Sequence, residues 1–201
     1  MLPTRNALVH LQSFVEGKAT AIAAPTPAFF STYALDYDFN PAAPKPEHFH
    51  AFLESIWPGD DEQKDALQEW FGYLLTPDTS QQKIAFLLGP PRSGRGTIAR
   101  LIRAMIGSQN VVGPTLSGLG GPFGLSTMIG KPVAIIADAK LSGRADAGAI
   151  VERLLNISGE DVVDVNRKNK DQWTGKLPTR SVIPGRLNVT HPGSPILTVT
   201  R

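Results

Sequence analysis

Cysteine is absent from the sequence, which excludes disulfide bonds and thiolate metal sites. Histidine is scarce, and His48 and His50 lie two residues apart, a spacing that separates them on a helix or a strand, so we expect no histidine metal centre. Long apolar runs are lacking, since none approaches the roughly 20 residues that cross a bilayer. No apolar segment follows Arg5, as a signal peptide would require. The sequence therefore predicts a cytoplasmic protein without a membrane segment.

Charge is distributed unevenly along the 201 residues. Residues 1–80 contain four basic and eleven acidic side chains, whereas residues 81–201 contain an excess of basic ones. A basic half beside an acidic half indicates that the second half meets phosphates, although surface charge also varies along chains that bind none. The hydrophobic fraction of 41% is ordinary for a soluble protein with one domain, or one domain and a small satellite.

Residues 1–80 are predicted to form a small, mostly helical accessory domain. Prolines interrupt the chain up to Pro46, which excludes a long helix there. A short helix is predicted from Pro46 to Trp57. The helix that follows has apolar residues at helical spacing, namely Leu67, Trp70, Phe71, Leu74 and Leu75. Such a face is either a partner surface or part of the core, and we favour the core.

Residues 81–201 alternate apolar strands with helices, the order of an α/β domain with a parallel sheet and flanking helices. The predicted strands include Lys83 to Leu88 and Val133 to Ala137. A helix from Ala147 to Ile157 is expected to turn four residues inward, namely Ile150, Val151, Leu154 and Leu155. Val162 to Val165 and a segment near Leu177 are predicted to pair as a hairpin.

A phosphate-binding loop is predicted between the first of these strands and a helix. Its residues are Gly89, Pro90, Pro91, Arg92, Ser93, Gly94, Arg95, Gly96 and Thr97. Such a loop directs backbone N–H groups and the positive end of the helix dipole to one place, where a nucleoside triphosphate binds. The Thr97 hydroxyl is positioned to meet Mg²⁺. The alternative is a turn rich in glycine and proline that binds nothing.

Arg95 stands where a phosphate loop normally has lysine. Arginine keeps the positive charge, but its planar guanidinium is bulkier than an ammonium group. We expect ATP binding to survive in weakened form. Hydrolysis is expected to suffer more, because transition-state charge is stabilised only by accurate placement of a catalytic residue such as Arg95.

Asp138 ends the apolar strand that begins at Val133. An acid at this place in phosphate-loop proteins holds Mg²⁺, so Asp138 is predicted as a metal ligand and catalytic residue, unless it caps a turn. Many such ATPases continue with a glutamate that activates water, but Ala139 follows here. Glu152 and Glu160 are possible general bases, and neither has further support from the sequence.

The predicted hairpin has a basic tip formed by Arg167, Lys168 and Lys170. Basic side chains suit a nucleic-acid backbone, and the nearby Trp173 can stack on a base. A solvated turn explains the same composition equally well.

Several segments resemble the helicase part of phage and plasmid primases of the satellite-phage and poxvirus type. They are Glu69 to Lys83, GPPRSGRGTIARLIRAMIG, GPTLSGLGGPFGL, ADAKLSGRADAGAIVERLLNISGED and NRKNK. These proteins are superfamily three helicases, a branch of the AAA+ ATPases. The resemblance covers roughly residues 26–180, and Pro27 to Trp57 is similar to the small domain that precedes the ATPase core in that family.

The resemblance implies an ATP- and Mg²⁺-dependent helicase that forms a ring, usually a hexamer, on single-stranded DNA. It implies phage, prophage or plasmid replication in a bacterial host, with a possible primase domain or partner. It assigns the phosphate loop to Gly89–Thr97, the magnesium-binding acid to Asp138 and a DNA-contacting hairpin to Arg167, Lys168 and Lys170.

After Arg180 the sequence departs from this family. The family continues with an apolar strand that ends in a sensor asparagine, and further on has an arginine that reaches a neighbouring subunit. Here Ser181 to Arg186 includes Pro184, which is unsuited to a central strand, and the surroundings of Asn188 do not match. We therefore expect a C-terminally truncated core with a gap in its sheet.

Two alternatives to an active helicase remain open. Arg95, Ala139 and the altered C-terminal segment favour a nucleotide- and DNA-binding remnant without turnover. The run Ser93 to Thr97 is also similar to the phosphate loop of nucleoside monophosphate kinases, although the basic hairpin does not suit that fold.

Overall fold

A computed structural model describes residues 1–136, 147–186 and 196–200, and shows a mixed α/β protein. The helices are α1 (Leu11–Val15), α2 (Glu47–Ile56), α3 (Asp61–Leu75), α4 (Arg95–Ile106), α5 (Leu116–Leu119) and α6 (Ala147–Ser158). The strands are β1 (Leu2–Pro3), β2 (Leu8–Val9), β3 (Ile22–Ala23), β4 (Ile84–Gly89), β5 (Val111–Val112), β6 (Val133–Ile135), β7 (Val162–Arg167), β8 (Lys170–Lys176), β9 (Arg180–Arg186) and β10 (Ile196–Thr200). Within these ranges, none of the helices combines the length and the apolar character that crossing a bilayer requires.

The central sheet has five strands in the order β10-β4-β9-β6-β5. All neighbours run parallel except β10, which pairs antiparallel with β4. The sequence of β4 is almost wholly apolar because helices cover both faces of the sheet. Gly89 and Arg186 are in register, so β4 and β9 end side by side at one edge of the sheet. That edge carries the predicted phosphate loop.

The expected gap in the sheet is wrong, because β9 lies between β4 and β6 and contains Pro184. The Ile136 N–H donates to the Val182 carbonyl at 2.9 Å, so Val182 directs its backbone groups toward β6. Backbone groups alternate along a strand, and Pro184 therefore directs its nitrogen to the same side. The pairing of β6 with β9 ends at Ile135 and Val182. Pro184 has no N–H to donate toward β6. It lies beyond Val182, the last β9 residue that pairs with β6, and so it is tolerated in this strand.

Helices α2, α3 and α4 pack on one face of the sheet. Leu67, Trp70 and Leu74 of α3 are buried in one core cluster with Leu87 and Ile98. The expectation that the apolar face of α3 is core is therefore confirmed for these three residues. Because α3 and α4 share this cluster, residues on both sides of position 80 pack together; the division into two domains at residue 80 stays a prediction.

Helices α5 and α6 cover the other face. Ile150 and Leu154 are buried there as expected, in a cluster with Ile183. Val151 and Leu155, which were also expected to point inward, are 54% and 51% exposed. The side chains that pack on the sheet are those of Ile150, Leu154 and Ile157. Val151 and Leu155 each follow one of these by one position, which turns them about 100° around the helix and toward solvent.

Arg180, at the start of β9, is buried and caps the carboxyl end of α3. Its guanidinium donates to the carbonyls of Leu74 at 3.2 Å, Thr76 at 2.5 Å and Asp78 at 3.2 Å. The last carbonyls of a helix have no intrahelical partner and carry partial negative charge, which a cation offsets. Burial nevertheless lowers the pKa of Arg180, because the charged form loses solvation.

Candidate nucleotide-binding site

The predicted phosphate loop connects the carboxyl end of β4 to the amino end of α4. Gly94, the residue before α4, has a φ of +85°, a conformation that favours glycine. A Cβ atom at Gly94 would lie 2.9 Å from Cγ2 of Ile56 and 3.3 Å from the ring of Phe52. Helix α2 thus packs directly on the loop, and both the backbone and the contact require glycine here.

The loop provides donors suited to an anion. The N–H groups in the first turn of α4 point out of the helix at its positive end. The hydroxyl of Ser93 is buried and has no hydrogen-bond partner in the part of the chain that the structure describes. A buried hydroxyl of this kind is costly unless it binds something, so its position in the loop fits a polar ligand such as a phosphate group.

Arg95 lies across the loop and bonds to backbone carbonyls. One guanidinium nitrogen, Nη2, donates to the Pro90 carbonyl at 3.1 Å, and Nη1 donates to the Gly185 carbonyl of β9. The side chain therefore connects the loop to the neighbouring strand of the sheet. N–H groups that donate to these carbonyls are not available to a phosphate oxygen. These contacts agree with the expectation that ATP binding is weakened, which stays a prediction.

Arg100 contacts the candidate loop, which the sequence did not lead us to expect. Its Nη2 donates to the Thr97 hydroxyl at 3.0 Å, and its Nη1 would lie 3.6 Å from a Cβ atom at Gly96. The guanidinium thus covers the first turn of α4. The only signal in the sequence is a basic residue three positions after Thr97, which is one turn along a helix.

The assignment of Thr97 and Asp138 as magnesium ligands stays a prediction. The Thr97 hydroxyl, in the first turn of α4, accepts a hydrogen bond from Arg100 at 3.0 Å, so a cation lies beside the atom that the sequence predicts as a ligand of Mg²⁺. Asp138 lies outside the described residues, as does Ala139. Across 1–136, 147–186 and 196–200, histidine, aspartate and glutamate form no cluster of three or more that suits a metal ion.

The two glutamates considered as general bases are held elsewhere. Glu160 accepts a hydrogen bond from the Thr79 hydroxyl, near the amino end of β4, whereas the loop follows its carboxyl end. The strand between the two ends spans roughly 17 Å at about 3.3 Å per residue. Glu152 lines a groove with Asn156 and Val162, away from the loop residues.

The basic hairpin is confirmed as a structural element. Strands β7 and β8 pair antiparallel, with Arg167 in register with Lys170 at the tip. Asn169 in the turn has a φ of +57°, which asparagine tolerates better than most residues. Lys168 and Lys170 are exposed. Trp173 is partly buried against the core, so it stabilises the base of the hairpin.

Comparison with known proteins gives three similarities. The model of a family of unknown function (DUF5906) matches residues 87–184, from the end of β4 through most of β9. Over 78 residues, which are 39% of this chain and 43% of the relative, the chain is 28% identical to the uncharacterized mitochondrial protein ymf21 of Marchantia polymorpha. The apo A form of the NrS-1 C-terminal region superposes with a TM-score of 0.56 and 15% identity, covering 74% of this chain and 34% of that one. This chain therefore spans less than half of either protein, and it shares the fold of the part of the NrS-1 region that it matches.

Proposed function

We propose that this protein is the ATPase core of a DNA helicase that acts in phage or plasmid replication. The observation that carries the proposal is the loop from Gly89 to Thr97, which joins a buried parallel strand to a helix and contains the buried Ser93 hydroxyl and the left-handed Gly94. The family resemblance supplies the rest: action as a ring, usually a hexamer, on single-stranded DNA, with a possible primase partner. The likeness to the NrS-1 region supports the α/β fold.

In this proposal the loop residues hold the phosphates of ATP. The N–H groups of the loop and of the first turn of α4 donate to phosphate oxygens, and the Ser93 hydroxyl adds a further donor. Arg95, which donates to the carbonyls of Pro90 and Gly185 here, turns toward the phosphates and neutralises part of their charge. Thr97 and Asp138 would hold Mg²⁺, which when bound draws charge away from the terminal phosphates.

The hairpin is proposed to hold single-stranded DNA. Arg167, Lys168 and Lys170 concentrate positive charge at one tip, and Arg167 is oriented by a 2.8 Å bond from its Nε to the Asp171 carbonyl. Contacts of this type are made to phosphates and carry little sequence preference.

A second candidate function is a nucleotide- and DNA-binding remnant that turns over slowly or not at all. The observation that favours it is the engagement of Arg95 by the carbonyls of Pro90 and Gly185, which stabilises the loop without a nucleotide. An arginine so held gives the transition state less help than a lysine that is free to move.

ATP hydrolysis in Mg²⁺, measured with and without single-stranded DNA, separates these functions. A DNA-stimulated rate supports the helicase core. The same assay on a variant with Arg167→Gln, Lys168→Gln and Lys170→Gln should then lose the stimulation but keep the basal rate. A calorimetric titration with ATP accompanies the assay. Saturable ATP binding with hydrolysis at background supports the remnant, and failure to bind ATP refutes both functions.

A further inference from the structure

A groove of about 370 Å³ runs along the solvent side of α4, on a different element from the hairpin. We name it the α4 groove, and it is lined chiefly by Asp36, Tyr37, Arg100, Arg103 and the turn at residues 107–109. The arginines lie three positions apart and so share one face of the helix.

The charge of the α4 groove is positive. Neither Arg100 nor Arg103 has a carboxylate within salt-bridge distance among the described residues. Asp36, the one acidic residue of the lining, pairs with Arg5 at 3.1 Å, which offsets its charge. Lys131 adds a cation at the far end, where its Nζ donates to the Gln109 carbonyl at 2.5 Å. The groove thus attracts anions.

Tyr37 gives the groove an aromatic surface. Its side chain is 37% exposed, and burial of the remainder raises the pKa of its hydroxyl, so the phenol stays neutral at physiological pH. An exposed ring beside two cations is the combination by which proteins hold single-stranded nucleic acid, since bases stack on rings and phosphates pair with cations.

We propose that the α4 groove is a second contact surface for single-stranded nucleic acid, with phosphates on Arg100 and Arg103 and a base on Tyr37. A free anion would use the arginines but not the ring, which is why we favour a nucleic acid over a phosphate ion. Tyr37 and Arg103 lie outside the phosphate loop, so the proposal does not depend on whether that loop binds ATP.

The test measures binding of a fluorescent oligo(dT) by anisotropy over a series of salt concentrations, without nucleotide. The background is the hairpin variant with Arg167→Gln, Lys168→Gln and Lys170→Gln, so that binding at the groove is seen alone. Arg103→Gln is compared with Lys45→Gln, which removes one exposed positive charge elsewhere. Arg103 is chosen because Arg100 also contacts Thr97. Thermal melts check that each variant is folded.

Arg103→Gln should lower the salt slope by about 0.7, the value for one phosphate contact on a single strand, while Lys45→Gln leaves it unchanged. Tyr37→Leu should weaken binding roughly tenfold, and Tyr37→Phe should retain it. Polyphosphate, which has no bases, should respond to Arg103→Gln only.

Two results would overturn the proposal: equal effects of Arg103→Gln and Lys45→Gln, or oligo(dT) binding that is indifferent to Tyr37→Leu. Loss of all binding in the hairpin background would also overturn it, while leaving the proposed function intact.

Discussion

Replacing Arg180 tests whether a single cation holds the carboxyl end of α3 to the sheet. Arg180→Met keeps much of the volume and removes the guanidinium. The carbonyls of Leu74, Thr76 and Asp78 then lose their donor, and Leu74 is itself buried. The ring of Tyr73, whose centroid lies 5.7 Å from the guanidinium carbon, loses a cation–π contact.

The expected loss in the free energy of unfolding is about 3 kcal/mol. Hydrogen bonds to a charged group contribute about 1.5–3 kcal/mol each. The methionine variant no longer has to bury a charged group, and this gain offsets part of the lost hydrogen-bond energy. For a chain of this size the midpoint of thermal unfolding should fall by roughly 6–12 °C.

Urea unfolding followed by circular dichroism measures this loss. Arg180→Lys should be intermediate, because an ammonium group keeps the charge but reaches fewer of the carbonyls. Arg103→Met is the matched control: Arg103 is exposed, and its replacement should change stability by less than about 0.5 kcal/mol. If Arg180→Met is as stable as Arg103→Met, the guanidinium does not hold the helix end and the reasoning is refuted.

Three further predictions concern the loop and the helices beside it. Arg95→Lys should tighten ATP binding about fivefold in a calorimetric titration. A lysine makes fewer hydrogen bonds to the loop carbonyls than the guanidinium does, and the free energy of roughly one such bond corresponds to this factor. Unchanged or weaker binding would contradict this prediction. Gly94→Ala should lower the free energy of unfolding in urea by about 1–2 kcal/mol from backbone strain, and further because the added Cβ meets Ile56. Gly130→Ala is the control, because Gly130 has a φ of +72° and its added Cβ meets nothing within 4 Å. It should show the loss from strain alone. The hydrogen bond from Lys64 lowers the pKa of Glu54. The ionised carboxylate therefore stabilises the fold above its ordinary pKa of 4.5, and this contribution is lost as the pH falls through the folded-state pKa. If the stability of a Glu54→Gln variant falls as steeply in acid as that of the unaltered protein, Glu54 does not have this role.

The positions of the loop and of the main elements could be predicted because they depend on local pattern. A strand, a glycine-rich turn and a helix follow one another in β4, the loop and α4, and the spacing of apolar residues alone identifies the buried face of α3. The hairpin is likewise local, since its strands are joined by a short turn with Asn169 in the left-handed region.

The errors and omissions depend on contacts between distant segments. Pro184 was expected to exclude a central strand, but this depends on where the pairing with β6 ends, which a sequence does not reveal. The roles of Arg180 and Arg100 arise from what the fold brings next to them. Val151 on α6 is 54% exposed because the stripe of Ile150 and Leu154, and not that of Val151, packs on the sheet. The apolar spacing of α6 fits either stripe almost equally well, so the sequence alone does not identify the buried one.

Titration of the protein with ATP in Mg²⁺ by calorimetry, with AMP as the matched ligand, tests the central claim most directly. A loop that holds the phosphates farthest from the base predicts saturable ATP binding and AMP binding at least about tenfold weaker, since AMP lacks the phosphates that such a loop holds. Equal binding of ATP and AMP, or no binding of ATP, would contradict the assignment of Gly89–Thr97 as a phosphate-binding loop.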